Sequence, residues 1–183
     1  MKTFLFSLLI AIFVCNLTFS QERYYTRNGH IDFFSHAPLE DIKANNEQVA
    51  VFLTVSNGEI SAAMLMKSFS FVKALMQQHF NESYIESDKF PRAEFEGRII
   101  DFNKIDFKDG KAHNATAKGK ITIHGVTKEI EIDGNLTFKG GKYLLNAVFI
   151  LKPEDFEIEI PSSKRDNIAK EIRVTLEASL EAM

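Results

Sequence analysis

The chain has 183 residues and a hydrophobic content of 45%, which is enough for one domain with a substantial core. Its formal net charge of −3 argues against nucleic acid or an anionic membrane surface as a partner. The single cysteine excludes an internal disulfide, so packing and strand pairing have to supply the stability.

The first 20 residues have the pattern of a secretory signal peptide. Lys2 is followed by an apolar run from Phe4 to Val14 and then by Thr18-Phe19-Ser20. This pattern predicts cleavage near Ser20/Gln21 and a periplasmic or secreted protein whose mature domain spans residues 21–183. The apolar run is too short to favour a membrane span, and an uncleaved anchor is the alternative.

Period-two alternation of apolar and polar residues predicts strands along most of the remaining chain. In chain order, these are residues 24–29, 31–35, 49–55, 59–67, 95–102, 111–123, 126–138, 143–151 and 171–182. Asn57-Gly58, His124-Gly125 and Gly140-Gly141 are typical of hairpin turns, and Pro38 to Ile42 predicts a kink or bulge. A helix is the competing interpretation of the last segment, but its period of two favours a strand.

One segment has a helical period instead. Apolar residues at three- and four-residue spacing predict a helix from Ser70, as its N-cap, to Phe80. About eight antiparallel strands with one inserted helix predict an all-β fold, a closed barrel without exposed sheet edges. Because residues 143–151 are apolar in both registers, we expect the helix to cover one face of that strand.

Two segments carry a family resemblance. The sequence ESDKFPRAEFEG at residues 86–97 and the hairpin GKITIHGVTK at residues 119–128 resemble motifs of the YceI-like family. Residues 67–81 lie where that family has a helical insertion, and the resemblance extends from about Tyr24 to the C-terminus. It implies an exported, lipocalin-like β-barrel that binds a polyisoprenoid-type lipid, such as a quinone or a carrier lipid.

The residues alone leave the content of the barrel open. A barrel of about eight strands either fills itself with side chains or holds one small ligand, and 17 phenylalanines fit both interpretations. The alternatives are therefore a lipid carrier and a ligand-free structural or stress-protective barrel, and the resemblance favours the carrier. The residues predicted to contact an apolar tail are Phe95, Ile99, Ile130, Ile132, Val148, Val174 and Leu176 from strands, with Leu75, Met76 and Phe80 from the helix.

No catalytic constellation is evident. The five histidines lack zinc-ligand spacing, and there is no nucleophile elbow or phosphate-binding glycine loop. We therefore expect no enzymatic activity, no cofactor and no bound metal. Turn geometry explains His124, and the pair Lys164-Arg165 is either a solvated loop or a clamp for an anionic head group at the barrel rim. The oligomeric state stays open, a homodimer included.

Overall fold

The computed structural model describes residues 22–183, so the predicted signal peptide and its cleavage point lie outside the described residues. The described chain folds into nine strands in one antiparallel sheet. The strands are β1 (Arg23–His36), β2 (Asp41–Thr54), β3 (Glu59–Leu65), β4 (Ser70–Phe71), β5 (Arg92–Ile99), β6 (His113–Ile123), β7 (Val126–Lys139), β8 (Lys142–Leu151) and β9 (Ile172–Ala182).

The sheet closes on itself. Neighbouring strands follow the order β1-β9-β8-β7-β6-β5-β3-β2, and β1 also pairs with β2. The two-residue strand β4 adds only to the edge of β2 at Ala44 and Asn45. The predicted antiparallel barrel of eight strands is therefore confirmed, and so is the strand at the C-terminus, which pairs with both β8 and β1.

Two of the tight turns have the backbone that their sequences predict. His124 and Gly125 have φ angles of 52° and 77°, and Gly140 and Gly141 have 61° and 76°. Positive φ at both central residues is the mark of the two-residue hairpin turn whose twist matches that of the flanking strands. Both hairpins are confirmed.

The second strand is longer than predicted. It begins at Asp41 rather than at residue 49, and its first half pairs with β1 from Ile42–Ser35 to Asn46–Ile31. Polar side chains at Asn45 to Gln48 hide the apolar alternation there, although Ala44 is fully buried. The segment from Ala37 to Glu40 is a turn in which the Ala37 N–H donates to the Glu40 carbonyl, rather than a bulge.

The helical segment begins later than its sequence predicted. Helix α1 covers Ala74–His79 and continues as a π-helical turn over Phe80–Tyr84. Ser70 is not its N-cap, because Ser70 and Phe71 form β4 and their backbone is used in pairing with β2. The N-cap position is taken by Lys73, whose side chain makes no capping hydrogen bond.

The two ends of the barrel differ. The closed end, which carries the turns at residues 57–58 and 140–141 and the segment 100–112, is filled by aromatic rings. Tyr143 packs with its ring centroid 4.7 Å from both Tyr24 and Phe138, and 5.2 Å from Phe107. Below them Leu53, Leu136 and Leu180 are almost fully buried, so the tightly packed core lies in this half.

The opposite end, which we call the mouth, carries the turn at residues 37–40, helix α1, the His124-Gly125 turn and the long segment 152–171. These elements cover the end without filling the space beneath them. Neither α1 nor any other helix in residues 22–183 is long and apolar enough to cross a membrane.

Candidate functional site

A cavity of about 330 Å³ extends from the mouth into the barrel, and nearly all of its wall is hydrocarbon. This volume lies in the range of about 300–1,000 Å³ that is typical of small-molecule sites. Inward residues that face each other across neighbouring strands form its wall in rows. One row runs through Phe149, Val174 and Phe33, and another through Ile99, Ala117 and Ile132.

The space arises where small residues are aligned. Ala115, Gly134 and Ala147 lie opposite one another on β6, β7 and β8, and all three line the cavity. A Cβ at Gly134 would lie 2.5 Å from the Asn146 carbonyl oxygen, so that only glycine lets β7 and β8 approach this closely. Large side chains in this row would fill the lumen, as they do at the closed end.

Aromatic rings and α1 form the roof. The ring of Phe80 packs 5.1 Å from Phe71, and 5.6 Å from both Phe33 and Phe69. Met76, His79 and Tyr84 from the same helical segment also line the cavity. Burial of these rings holds the short helix on the barrel, since six helical residues are too few to be stable alone.

The few polar groups collect at the rim. The Lys73 ammonium donates to Glu40 across 2.7 Å and, with a hydrogen bond from Asn167, holds the pKa of Glu40 below its ordinary value. The Leu39 N–H also donates to the Asp166 carbonyl at 2.9 Å. Glu40 therefore ties the start of α1 to the segment 152–171, and Lys164 reaches the cavity beside it.

Seven of the ten residues predicted to contact a tail line this cavity: Phe95, Ile99, Ile132, Val174, Leu176, Met76 and Phe80. Alternation on the strands and the helical period placed them on the inner side.

The other three are placed elsewhere. Val148 and Leu75 are 50% and 62% exposed, so the prediction that they face the cavity is wrong. On β8 the inward register is that of Tyr143, Ala147 and Phe149, and the outer register stays uncovered because α1 lies over the mouth instead. Ile130 is half-buried against the core and does not line the cavity, although Ile132 on the same register of β7 does.

Several cavity residues were not predicted. Met64, Met66 and Phe69 lie at the end of β3 and in the following turn, and Phe149 lies on the register of β8 that sequence reasoning assigned outward. The alternation of β3 contained the signal for Met64, whereas Met66 and Phe69 belong to a turn with no period. The alignment of Ala115, Gly134 and Ala147 depends on strand register and is invisible in the sequence.

The five histidines lie apart from one another in the fold. Within the described residues no three His, Cys, Asp or Glu side chains are close enough to hold a metal ion. His30, His36, His113 and His124 each contact a carboxylate, and His79 lines the cavity. The strand glutamates Glu94, Glu96, Glu129 and Glu131 are exposed on the outer face, as predicted.

Comparison with known families settles the family. The model of the YceI-like domain matches residues 24–180, which is nearly the entire described chain. The chain belongs to the YceI-like family. No curated protein matches it at a significant level.

Three solved structures are similar to this chain in fold. A polyisoprenoid binding domain from Saccharophagus degradans, implicated in plant cell wall breakdown, superposes with a TM-score of 0.76 at 12% identity, over 88% of this chain and 98% of that one. Burkholderia cenocepacia BcnA gives 0.68 at 14% identity, over 83% and 95%. The Campylobacter jejuni YCEI protein gives 0.62 at 14% identity, over 81% and 88%. At these identities the likeness shows a common fold.

Proposed function

We propose that this protein binds the apolar tail of an isoprenoid-type lipid in the barrel cavity and carries or stores that lipid outside the cytoplasm. The observation that supports it is an apolar cavity, open at one end, in a YceI-like barrel. The relative from Saccharophagus degradans is described as a polyisoprenoid binding domain, which agrees with this ligand class. The proposal involves no catalysis, cofactor or metal.

The cavity can supply affinity without specific polar contacts. Burial of ten methylene equivalents gains roughly 8 kcal/mol before the costs of ordering are subtracted. A tail in the lumen would contact Phe95, Phe149 and Leu176, which leave no polar atom unsatisfied. The polar head would then lie at the mouth, where Lys164 and Asn167 reach the cavity.

The cavity also weighs against the alternative of a ligand-free barrel filled with its own phenylalanines. The rings of Phe102, Phe107 and Phe138 fill the closed end, and those of Phe33, Phe69 and Phe80 form the roof. The middle of the barrel surrounds open space, and its wall combines small and aliphatic residues with the rings of Phe95 and Phe149.

The experiment for the lumen compares two phenylalanine substitutions. Ala117→Phe places a ring on the inner face of β6, opposite Ile99 and Ile132, where it occupies the cavity. Val148→Phe adds the same bulk at a position that is 50% exposed on the outside of β8. Native mass spectrometry and organic extraction of the exported proteins then show how much lipid each one retains.

We expect the parent and Val148→Phe to carry a bound lipid and Ala117→Phe to lose it. Overpacking at Ala117 should cost about 1–3 kcal/mol, so circular dichroism should still show the barrel. Equal lipid content in both variants would contradict a ligand in the lumen. A parent protein without lipid, unable to take up a quinone from vesicles, would favour the structural barrel.

Export is tested separately. N-terminal sequencing of the exported protein should begin at or near Gln21. The basis is the signal-peptide pattern of Lys2, the apolar run and Thr18-Phe19-Ser20. Recovery of a chain that still begins at Met1, in a membrane fraction, would contradict a cleaved signal peptide.

A further inference from the structure

Within residues 22–182, the three most exposed large hydrophobic side chains lie beside the mouth. Apart from the C-terminal Met183, the most exposed large hydrophobic residues are Val72 at 95%, Leu39 at 72% and Leu75 at 62%. None of the three lines the cavity, and all belong to the elements that surround its opening. Neither the fold nor the cavity requires an apolar residue at these positions.

Contacts join these residues into one surface. The Glu40–Lys73 ion pair links the turn that carries Leu39 to the residue after Val72. The Leu39 N–H donates to the Asp166 carbonyl, which joins the same turn to the segment 152–171. We call the surface formed by residues 36–43, 70–79 and 161–170 the docking face.

The charge of the docking face is opposite to that of the chain. Its basic side chains are Lys43, Lys73, Lys164, Arg165 and Lys170, and its acidic side chains are Glu40, Asp41 and Asp166. The face therefore has a basic excess, although the whole chain has a net charge of −3. An anionic membrane surface therefore attracts this face, although it repels the chain as a whole.

The remaining part of the mouth defines an orientation. Residues 152–160 carry four acidic side chains and one lysine. They reach the β6–β7 turn, where the Phe156 carbonyl contacts His124, and this turn lies across the barrel from the β1–β2 turn of the docking face. The barrel would therefore approach an anionic surface tilted, with the docking face down and the acidic segment away.

We propose that the docking face binds the surface of a bilayer that contains anionic lipid. Leu39, Val72 and Leu75 enter the interfacial region, while Lys164, Arg165 and Lys170 lie near anionic head groups. Three separate apolar side chains among charges are too few for the core of a stable protein interface, which takes about 800 Å² from each partner. The role of this contact rests on the proposed function: the cavity opens between the same segments, so a tail passes between bilayer and lumen without crossing water.

The test uses two matched triple variants of the full chain, each purified after export. Leu39→Ser, Val72→Ser and Leu75→Ser together remove the apolar part of the docking face. Leu144→Ser, Val148→Ser and Ile150→Ser remove three exposed residues, 41–50% accessible, from the outer face of β8. Flotation with vesicles of phosphatidylcholine, alone or mixed with phosphatidylglycerol, measures the partition of each protein.

We expect the parent and the β8 variant to bind the mixed vesicles and the docking-face variant to bind about tenfold less. Reversal of charge by Lys164→Glu and Arg165→Glu should remove the preference for phosphatidylglycerol. Equal binding by both triple variants, or no binding by the parent, would overturn the proposal.

The lipid content of each protein distinguishes a failure of the docking face from a failure of the proposed function. The docking-face variant should still retain a copurified lipid, because its three substitutions lie outside the cavity, but should exchange it with vesicles more slowly. A parent that carries lipid and ignores vesicles contradicts the docking face alone. A parent that binds vesicles through this face but never carries lipid contradicts the proposed function alone.

Discussion

His124 Nε2 lies 3.0 Å from a carboxylate oxygen of Glu86, a residue 38 positions earlier in the chain. Both residues have left-handed backbones, with φ angles of 52° and 48°, which are uncommon outside glycine. The other ring nitrogen, Nδ1, lies 3.0 Å from the Phe156 carbonyl oxygen, which accepts a hydrogen bond as the Glu86 carboxylate does, so the ring donates to both partners when each of its nitrogens carries a proton. One imidazole thus fastens the β6–β7 turn to two separate loops at the mouth.

This bridge predicts that His124→Asn destabilises the protein by about 1–3 kcal/mol. Asn-Gly keeps the favoured hairpin turn, but the shorter side chain cannot reach both loops and leaves one partner unsatisfied. It also loses the edge-on packing of the ring against Phe90, at 4.4 Å between centroids. Urea unfolding of the purified protein measures the difference.

His36→Asn is the matched control, because the His36 side chain is 78% exposed, stacks loosely on Phe34 and makes its polar contact with Asp41. Its effect should stay within about 0.5 kcal/mol. If both substitutions cost the same, the bridging role of His124 is wrong and turn geometry alone explains this residue.

Substitutions at two residues of the helical segment should also differ in their cost to the free energy of unfolding. Phe80→Ala removes the ring that packs on Phe33, Phe69 and Phe71, and should cost about 2–4 kcal/mol. Leu75→Ala should cost less than about 0.5 kcal/mol, because this side chain is 62% exposed. Hydrogen exchange should show faster opening of residues 74–84 in Phe80→Ala alone. Equal exchange in the two variants would contradict a roof that is held by the Phe80 ring.

The barrel could be predicted from sequence because its strands alternate cleanly and its turns carry glycine. On β7, Ile130 and Ile132 alternate with Glu129 and Glu131, and His124-Gly125 sets the turn before them. The same reasoning fails where both faces of a strand look alike. Both registers of β8 are apolar, so nothing in its sequence distinguishes Ala147 inside from Val148 outside.

The candidate site was harder to predict, since register and long-range contacts create it. The alignment of Ala115, Gly134 and Ala147 exists only because three strands pair with a given offset. Ser70 looked like an N-cap because the sequence does not show that β2 is available to pair with it. The contact of His124 with Glu86 joins loops whose meeting depends on the complete fold.

The rim should respond to acid through Glu40. The hydrogen bond from Lys73 lowers the pKa of Glu40, so the ionised form stabilises the folded state above the ordinary pKa of a glutamate. This contribution is lost as the pH falls through the lowered pKa. The difference in unfolding free energy between the parent and Glu40→Gln should therefore be largest near neutral pH and vanish in acid.

Glu181→Gln is the control, because it removes a similar ion pair that lies at the closed end instead of the mouth. Lys142 lowers the pKa of Glu181 in the same way, but Glu181 lies at the closed end. Both variants should show the same pH dependence of stability, while only Glu40→Gln should speed the release of bound lipid at neutral pH. Faster release from both would mean that general loss of stability, rather than the rim contact, controls the mouth.

The closed end should weaken in alkali. Burial, followed by the hydrogen bond from the Tyr24 hydroxyl to Glu22, raises the pKa of Tyr24 to about 12. The protonated phenol thus stabilises the folded state below the ordinary tyrosine pKa of about 10, and this contribution is lost as the pH rises from about 10 to about 12. Tyr24 should contribute no more than about 2–3 kcal/mol to this loss, so the loss should be smaller in Tyr24→Phe than in the parent. Urea unfolding across this pH range gives both slopes, and tyrosinate absorbance should show part of the signal of the four tyrosines delayed until the protein unfolds. Identical slopes in the two proteins would show that burial at the closed end does not hold the Tyr24 phenol in its neutral form.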